Sequence, residues 1–405
     1  MNALKRFRRD CKGSVAIIFA LAIVPVVAAI GAAFDFARGV QKRDELQALI
    51  DSALLSVSRS SVTMSDDQVA AKIRAYILSI GYPAGELGTV TISRNGQTLS
   101  AKATAKVPTT VMKMAGIKEL NIEAKATARW AKAEIVLVLD NSGSMGSGNR
   151  LTMLKSAVKD FVDKSAGSDN AMVYGMVPFA QAVRVPVTQA YKDAVWIDWG
   201  TSSSGSEDGE DGSSTQINKS TWQGCLIDRP QPYHTDDTFY ADSKKYPAIQ
   251  SCIGDETHIG LVQDLGTTPA NLKAAVDAMG SGGYTNLVIG VAWGHAMLTK
   301  QLPFVHASAP GETRRIMILM TDGHNTKNRF SNSETTLDGW TKTACKAAKD
   351  AGIEIYTVGF IGGDADVLSD CASGTGNHLT AATVNDIGNV FQQLALAVRR
   401  PILSH

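Results

Sequence analysis

An apolar run that ends in a carboxylate and two hydroxyls constrains the fold of this chain more than any other feature. Residues 134–139 read Glu-Ile-Val-Leu-Val-Leu, and Asp140, Ser142 and Ser144 follow, each separated from the next by one residue. A buried strand that ends in this way brings hard oxygen ligands to one point, and such ligands suit Mg²⁺, Mn²⁺ or Ca²⁺ better than zinc or copper. Alone, the pattern fits a polar turn or a helix N-cap equally well.

Two further segments offer oxygen ligands in a similar setting. A glycine-rich turn at 281–286 presents Thr285 just before an apolar helical pattern, and the apolar run 315–320 is followed by Thr-Asp322-Gly. Strands and helices alternate from residue 134 to 399, which is typical of a doubly wound parallel α/β sheet. Since loops at the carboxyl ends of such strands converge on one crevice, we expect these side chains to meet there.

These segments resemble the von Willebrand factor type A domain with its metal-ion-dependent adhesion site. The matching residues are Asp140-x-Ser142-x-Ser144, the threonine in Gly-Gly-Tyr-Thr285-Asn, and the Thr-Asp322-Gly turn. The resemblance implies a Rossmann-like α/β fold and a bound Mg²⁺ (or Mn²⁺ or Ca²⁺) held by these five residues. It also implies that a carboxylate from a partner protein fills an open coordination position.

The surroundings of these residues indicate binding rather than catalysis. None of the seven histidines lies in a His-Glu-x-x-His pattern, and neither serine lies in a Gly-x-Ser-x-Gly elbow. His324 either borders the metal or is an ordinary surface histidine. From the absence of these catalytic patterns we expect a protein that is not an enzyme.

The net charge of +1, without a basic face beyond the amino-terminal tail, argues against nucleic-acid binding.

The amino-terminal region predicts a membrane anchor. Residues 1–12 carry five basic side chains and one acid, whereas residues 13–34 carry no charge. At about 1.5 Å per residue the uncharged run spans roughly 30 Å, the thickness of a bilayer's hydrocarbon core. The basic flank predicts a cytoplasmic tail (1–13), a transmembrane helix (14–34) and translocation of the rest, in a single-pass inner-membrane protein whose carboxyl-terminal domain is periplasmic or otherwise extracytoplasmic. A cleaved signal peptide is the alternative, because 28–33 offers small residues for cleavage.

This segment also resembles a family. Lys-Gly-Ser-Val-Ala-Ile-Ile-Phe-Ala-Leu-Ala (12–22) and Gly-Ala-Ala-Phe-Asp-Phe-Ala-Arg (31–38) are similar to the amino-terminal region of TadE/TadG-like proteins of the tight-adherence (Flp) pilus system. A type A domain behind such an anchor is the TadG-like arrangement, which implies pilin or pilus-assembly subunits as partners. Ile18 stands where Flp prepilins carry a glutamate, so we expect an assembly or accessory role rather than that of the major pilin.

The remaining chain divides into two regions. Residues 35–130 predict a helical stalk and a small α+β module of pilin-like outline, with a helix capped by Ser65 and three alternating strands at 89–93, 99–107 and 120–128; a simple stalk is the alternative. The type A domain is expected at 131–400, with an insertion at about 181–266. Its acidic, low-complexity run 200–214 predicts a mobile loop. A calcium site within that run does not match EF-hand spacing; its ligands would be Glu207, Asp208, Glu210 and Asp211.

Four of the five cysteines lie beyond the predicted anchor, where disulfides persist. They permit three pairings, of which we favour Cys225–Cys252 within the insertion and Cys345–Cys371 between a helix and a later loop. Free buried thiols are the alternative.

Three functional hypotheses follow. The first is a membrane-anchored component of tight-adherence pilus assembly that binds an acidic partner residue through its metal. The second is a surface adhesin that binds extracellular ligands through the same site. The third, a metal-dependent hydrolase, is weakest because the sequence shows no base, nucleophile or second metal cluster.

Overall fold

The structure is a computed structural model. It describes residues 13–58, 61, 64–95, 98–166, 171–203, 214–236, 244–252, 259–309, 311, 313–362, 364–399 and 401–403. The basic tail and the candidate calcium ligands between 207 and 211 lie outside the described residues. The chain forms two compact units: residues up to Trp130 together with the strand Pro401–Leu403, and Ala131–Arg400.

The first unit consists of two helices and an antiparallel sheet. Its elements are α1 (Gly13–Ser58), α2 (Asp66–Ser79), β1 (Leu87–Asn95), β2 (Thr98–Pro108), a 3₁₀ turn (Met112–Ala115) and β3 (Glu119–Trp130). The sheet order is β1-β2-β3 followed by Pro401–Leu403. The predicted Ser65 cap is present as a capping box with Gln68, which satisfies the amide groups that begin α2.

The two halves of α1 differ in what surrounds them. From Ile18 onward α1 is long and apolar enough to cross a membrane, and its first half is exposed. Its second half buries Leu46, Ile50 and Leu54 against the sheet. The sheet presents alternate small side chains to this helix (Ala101, Ala103, Ala105, Ala124, Ala126 and Ala128), which allows the helix to approach closely.

The second unit contains a mixed sheet with helices on both faces. Its strands are β4 (Ala133–Asp140), β5 (Met172–Phe179), β6 (Val183–Arg184), β7 (Ile197–Asp198), β8 (Thr201–Ser203), β9 (Ser214–Gln216), β10 (Cys225–Leu226), β11 (Tyr246–Pro247), β12 (Gln263–Thr267), β13 (Arg314–Thr321), β14 (Ile353–Phe360) and β15 (His378–Ala381). Its helices are α3 (Arg150–Ala166), α4 (Gln189–Lys192), α5 (Pro269–Asp277), α6 (Leu287–Thr299), α7 (Glu334–Asp350), α8 (Ala365–Cys371) and α9 (Ile387–Val398).

The sheet order confirms the doubly wound prediction. Five strands run parallel in the order β5-β4-β13-β14-β15. Helices α3, α5 and α9 pack on one face, and α6, α7 and α8 on the other. Helix α6 is buried along nearly its whole length and approaches the sheet through glycine: a β-carbon on Gly294 would lie 2.8 Å from Val138. The apolar pattern predicts that the helix before β14 starts at Thr341. Helix α7 begins seven residues earlier, at Glu334, because its first two turns carry only Leu337 and Trp340 as large apolar residues among polar ones.

The insertion adds strands to the edge of the sheet. β6 and β12 pair antiparallel with β5, and β10 pairs antiparallel with β6. Two insertion tryptophans, Trp196 and Trp222, are buried, and Trp196 packs edge-on against Trp293 of α6. The two flanks of the acidic run pair with each other as β8 and β9, and its interior lies outside the described residues.

Both favoured cysteine pairings are disulfides. Cys225–Cys252 closes part of the insertion, with the two Cα atoms 5.4 Å apart. Cys345 of α7 is bonded to Cys371 at the end of α8, with the Cα atoms 5.1 Å apart. The second bond fixes α8 against α7 on one face of the sheet.

Candidate metal centre

The ends of two neighbouring parallel strands position the two carboxylates. β4 and β13 pair in a register that places Leu139 beside Met320, so that Asp140 and Asp322 leave the same edge of the sheet. The Thr321 hydroxyl donates a hydrogen bond to Asp140 Oδ2 (2.5 Å). Asp140 Oδ1 accepts one from the Ser142 amide (2.7 Å), which turns the chain directly after β4.

A chain of hydrogen bonds joins the two serines to Asp322. The Ser142 and Ser144 hydroxyl oxygens lie 3.0 Å apart. The Ser144 hydroxyl in turn donates to Asp322 Oδ1 (2.5 Å). Asp140, Ser142, Ser144 and Asp322, four of the five predicted ligands, are thus linked in one series of contacts. The two loops that contribute them are more than 170 residues apart in the sequence.

The glycine-rich turn is held against the first loop by backbone contacts. The Gly143 amide donates to the Gly283 carbonyl (3.0 Å), and the Gly282 amide donates to the Asn141 carbonyl (2.9 Å). Gly143 faces the turn closely, since a β-carbon there would lie 3.3 Å from the Gly283 oxygen. The approach of these two glycine-containing loops therefore carries Thr285 toward the serines.

The fifth predicted ligand, Thr285, lies near the same point. A β-carbon on Gly323 would lie 3.5 Å from the Ser144 hydroxyl oxygen and 3.8 Å from that of Thr285. The Thr285 amide donates to the Thr326 hydroxyl (2.8 Å), and the Thr326 amide donates to the Thr285 carbonyl (2.9 Å). Gly323 therefore leaves open a small cradle that is bordered by two hydroxyls.

The electrostatics of the site favour a cation. Asp140 is fully buried and Asp322 is 3% exposed. Burial and, to a smaller extent, the negative charge of Asp322 together raise the pKa of Asp140 to about 6, against hydrogen bonds from Ser142 and Thr321 that lower it. Arg150 Nη1 lies 2.8 Å from Asp322 Oδ2. Two carboxylates, three hydroxyls and the Gly323 cradle fit a hard divalent ion.

His324 pairs with carboxylates outside the predicted ligand set. Its Nδ1 lies 2.7 Å from Glu334 Oε1 and 3.6 Å from Asp364 Oδ2. More than half of its side chain is exposed. This environment is that of a surface histidine.

Sequence reasoning missed three residues that support the site. Thr321 orients Asp140 through its hydroxyl. The sequence signal that could have identified it is its position directly before the predicted ligand Asp322. Arg150 neutralises Asp322 from the start of α3. Asn286, next to Thr285, caps α6 and donates to Asp228 Oδ2 of the insertion (2.9 Å). Nothing in the sequence pattern connects Asp228 to the metal loops, because it lies in an irregular segment.

Two protein families match separate parts of the chain. The family described as Flp pilus-assembly TadE/G-like matches residues 13–60, and the von Willebrand factor type A domain matches residues 256–394. The second match includes Thr285 and Asp322. No curated protein shows a significant match.

Parts of several solved structures are similar to this chain at low identity. The chain is 12% identical to the vWF domain of the type V pili tip protein Mfa5 from Porphyromonas gingivalis (66% of this chain, 95% of that chain, TM-score 0.41). It is 14% identical to the pilus adhesin SpaC from Lactobacillus rhamnosus GG (76% and 33%, TM-score 0.39). It is 15% identical to proximal thread matrix protein 1 from the mussel byssus with a zinc-occupied MIDAS motif (66% and 48%, TM-score 0.38).

The chain spans about half the length of the mussel protein and a third of SpaC. The two family matches agree with the sequence motifs and with the parallel sheet. The chain therefore joins a TadE/G-like pilus-assembly segment to a von Willebrand factor type A domain.

Proposed function

We propose that this protein is a membrane-anchored component of tight-adherence pilus assembly that binds an acidic residue of a partner subunit through a divalent cation. The ligands are Asp140, Ser142, Ser144, Thr285 and Asp322, and the ion is Mg²⁺, Mn²⁺ or Ca²⁺. One observation carries the proposal. Three loops distant in sequence bring two buried carboxylates together with the serine and threonine hydroxyls, and one arginine partly offsets the negative charge of the carboxylates.

Each residue has a distinct role in this proposal. Asp140 and Asp322 supply the negative charge, and the Thr321 hydroxyl fixes the orientation of Asp140. Ser142, Ser144 and Thr285 add neutral oxygens, so the loaded site keeps little net charge. A bound divalent ion supplies an open position for an anionic oxygen. The site then captures a partner carboxylate and carries out no reaction, so the protein is not an enzyme.

The location follows from α1. We propose that α1 anchors the protein in the inner membrane as a single span, with the amino terminus cytoplasmic and the type A domain extracytoplasmic. The apolar, exposed first half of α1 supports this proposal. Both disulfides belong to the second unit and are consistent with an oxidising compartment.

The test is Asp140→Ala in cells that express the protein at its normal level. We expect loss of surface pili, and loss of Mg²⁺ binding in calorimetry of the purified full chain. The domain should stay folded, because Asp140 is the last residue of β4 and the other ligands lie on loops beyond the sheet core. Asp160→Ala is the matched control, since Asp160 is exposed on α3.

The outcomes separate the candidate functions. Intact pili with lost adhesion would favour the second candidate, a surface adhesin that binds extracellular ligands. Undiminished Mg²⁺ affinity in Asp140→Ala would refute the ligand assignment. Normal pili and normal adhesion despite lost metal binding would refute both uses of the site.

A further inference from the structure

A loop of the first unit lies against α1 where the apolar run of that helix ends. The loop, residues 109–118, connects β2 to β3. A β-carbon on Gly31 would overlap the Val111 side chain, and one on Gly39 would lie 3.0 Å from the Leu120 side chain. The loop and the start of β3 therefore follow α1 over about two turns, roughly 12 Å of its length.

Asp35 ties the loop to the helix. Its side chain is 2% exposed, and it accepts hydrogen bonds from the amides of Thr110 (2.9 Å), Val111 (2.8 Å) and Met112 (2.8 Å). A carboxylate of α1 thus satisfies the amides that begin the 3₁₀ turn. The predicted transmembrane run ends one residue earlier, so this contact lies at its boundary.

The remaining backbone groups of the loop are largely paired within the loop. The Thr109 amide donates to the Lys118 carbonyl (3.1 Å), and the Thr109 hydroxyl donates to the Ile117 carbonyl. The Ile117 amide donates to the Met112 carbonyl (3.1 Å). Irregular backbone near membrane depth is tolerated only where its polar groups are satisfied in this way.

The outer side of the loop is apolar at its tip and basic beside it. Met114 is 90% exposed and Ile117 is 45% exposed. Lys113 and Lys118, next to them in sequence, are also exposed. On α1 at the same level, Phe34 is 68% exposed. Large exposed apolar side chains flanked by lysines are typical of segments that lie in a membrane interface.

We propose that this loop is a second membrane contact. Met114 and Ile117 enter the boundary between headgroups and acyl chains, and Lys113 and Lys118 pair with lipid phosphates. This inference rests on the proposed membrane anchor, since it takes α1 to span the same bilayer. The partner of this exposed surface is lipid, because the loop is held against α1 at Gly31 and Asp35. At this level the apolar run of α1 leaves the hydrocarbon core of the bilayer. The span of α1 and the loop 109–118 would then contact the bilayer at two different points. Together they fix how deeply the first unit sits in the membrane and how it is rotated about the axis of α1.

The test uses the full chain in lipid vesicles with a fluorophore on one introduced cysteine. Cys11→Ser removes the cysteine that is outside the two disulfides. An environment-sensitive dye is then placed at Met114→Cys, where the high exposure of the side chain keeps the fold undisturbed. Thr91→Cys, exposed on β1, is the matched control, and Val27→Cys in the apolar run reports on the anchor itself.

We expect the dye at position 114 to shift its emission to shorter wavelength in vesicles. Its fluorescence should be quenched by a quencher attached to the acyl chain near the headgroup. Iodide in the aqueous phase should quench it only weakly. The dye at 91 should show none of these changes, and the dye at 27 should be quenched from deep in the bilayer.

Two results would overturn the inference and leave the anchor intact. In both, position 27 is quenched from the bilayer, and position 114 either behaves like position 91 or is shielded from iodide without lipid quenching. The second result would indicate a protein contact instead. Absence of lipid quenching at position 27 would overturn the anchor and the inference together.

Discussion

Asp228→Asn would neutralise a carboxylate that the insertion buries inside the second unit. The Asp228 side chain is 2% exposed, and its Oδ2 accepts a hydrogen bond from Asn286 Nδ2 (2.9 Å). Its Oδ1 has no hydrogen-bond partner among the described residues. Burial raises the pKa of Asp228 to about 6, because desolvation outweighs the hydrogen bonds from Asn286 and the Arg329 amide.

The sign of the effect follows from proton binding. Between pH 4 and pH 6 the folded protein keeps a proton on Asp228 that the unfolded chain, with a pKa of about 3.9, has released. The free energy of unfolding therefore falls as pH rises through this window. A difference of about two pKa units corresponds to about 3 kcal/mol, fully lost above the folded-state value. Asparagine carries no such penalty at any pH.

The measurement is urea unfolding of the full chain in detergent between pH 4 and pH 7. Five of the six tryptophans lie in the second unit, so their fluorescence mainly reports its unfolding. The unfolding free energy of Asp228→Asn minus that of the wild type should rise by about 2–3 kcal/mol across this range. Asp140 is present in both proteins and cancels, and Asp160→Asn on α3 is the exposed control. A constant difference would show that folding leaves the pKa of Asp228 unchanged, and a difference that falls with pH would show that the folded protein stabilises the charged carboxylate; either result would refute the reasoning.

Two further variants test the metal site and the disulfide framework. Arg150→Gln removes the cation that pairs with Asp322 at 2.8 Å, so less positive charge opposes an incoming ion; Mg²⁺ affinity in calorimetry should increase about tenfold. Weaker binding would mean that Arg150 positions Asp322 for the metal. Replacing Cys345 and Cys371 by serine opens a loop with a sequence separation of 26, which the chain-entropy argument values at about 3.5 kcal/mol. Urea unfolding at pH 7 measures this loss, and an unchanged midpoint would contradict it.

Much of the candidate site could be predicted because its ligands follow regular elements. Asp140 and Asp322 each end an apolar run, and parallel strands bring such ends together. The hydroxyl ligands lie at fixed short spacings in turns, which a sequence displays directly. The structure brings all five side chains to one place, and their role in holding a metal stays a prediction.

The rest could not be predicted because it depends on contacts without local periodicity. Asp228 meets Asn286 across 58 residues of chain, and the strands β6 and β10 are two residues long, too short for a pattern of alternation. The first two turns of α7 carry only Leu337 and Trp340 as large apolar residues, so the sequence pattern places the start of this helix seven residues too late. Here tertiary packing decides what local preference leaves open.

The pairing of Pro401–Leu403 with β3 has a consequence for biogenesis. Pro401 lies opposite Trp130 in this ladder, while the whole second unit lies between them in sequence. During synthesis, β3 therefore emerges long before the strand that completes its sheet. Until then its open edge is a template for pairing with other chains. The first unit therefore completes its sheet last although it is made first, so misfolding or truncation of the second unit would leave the edge of β3 open to pairing with other chains.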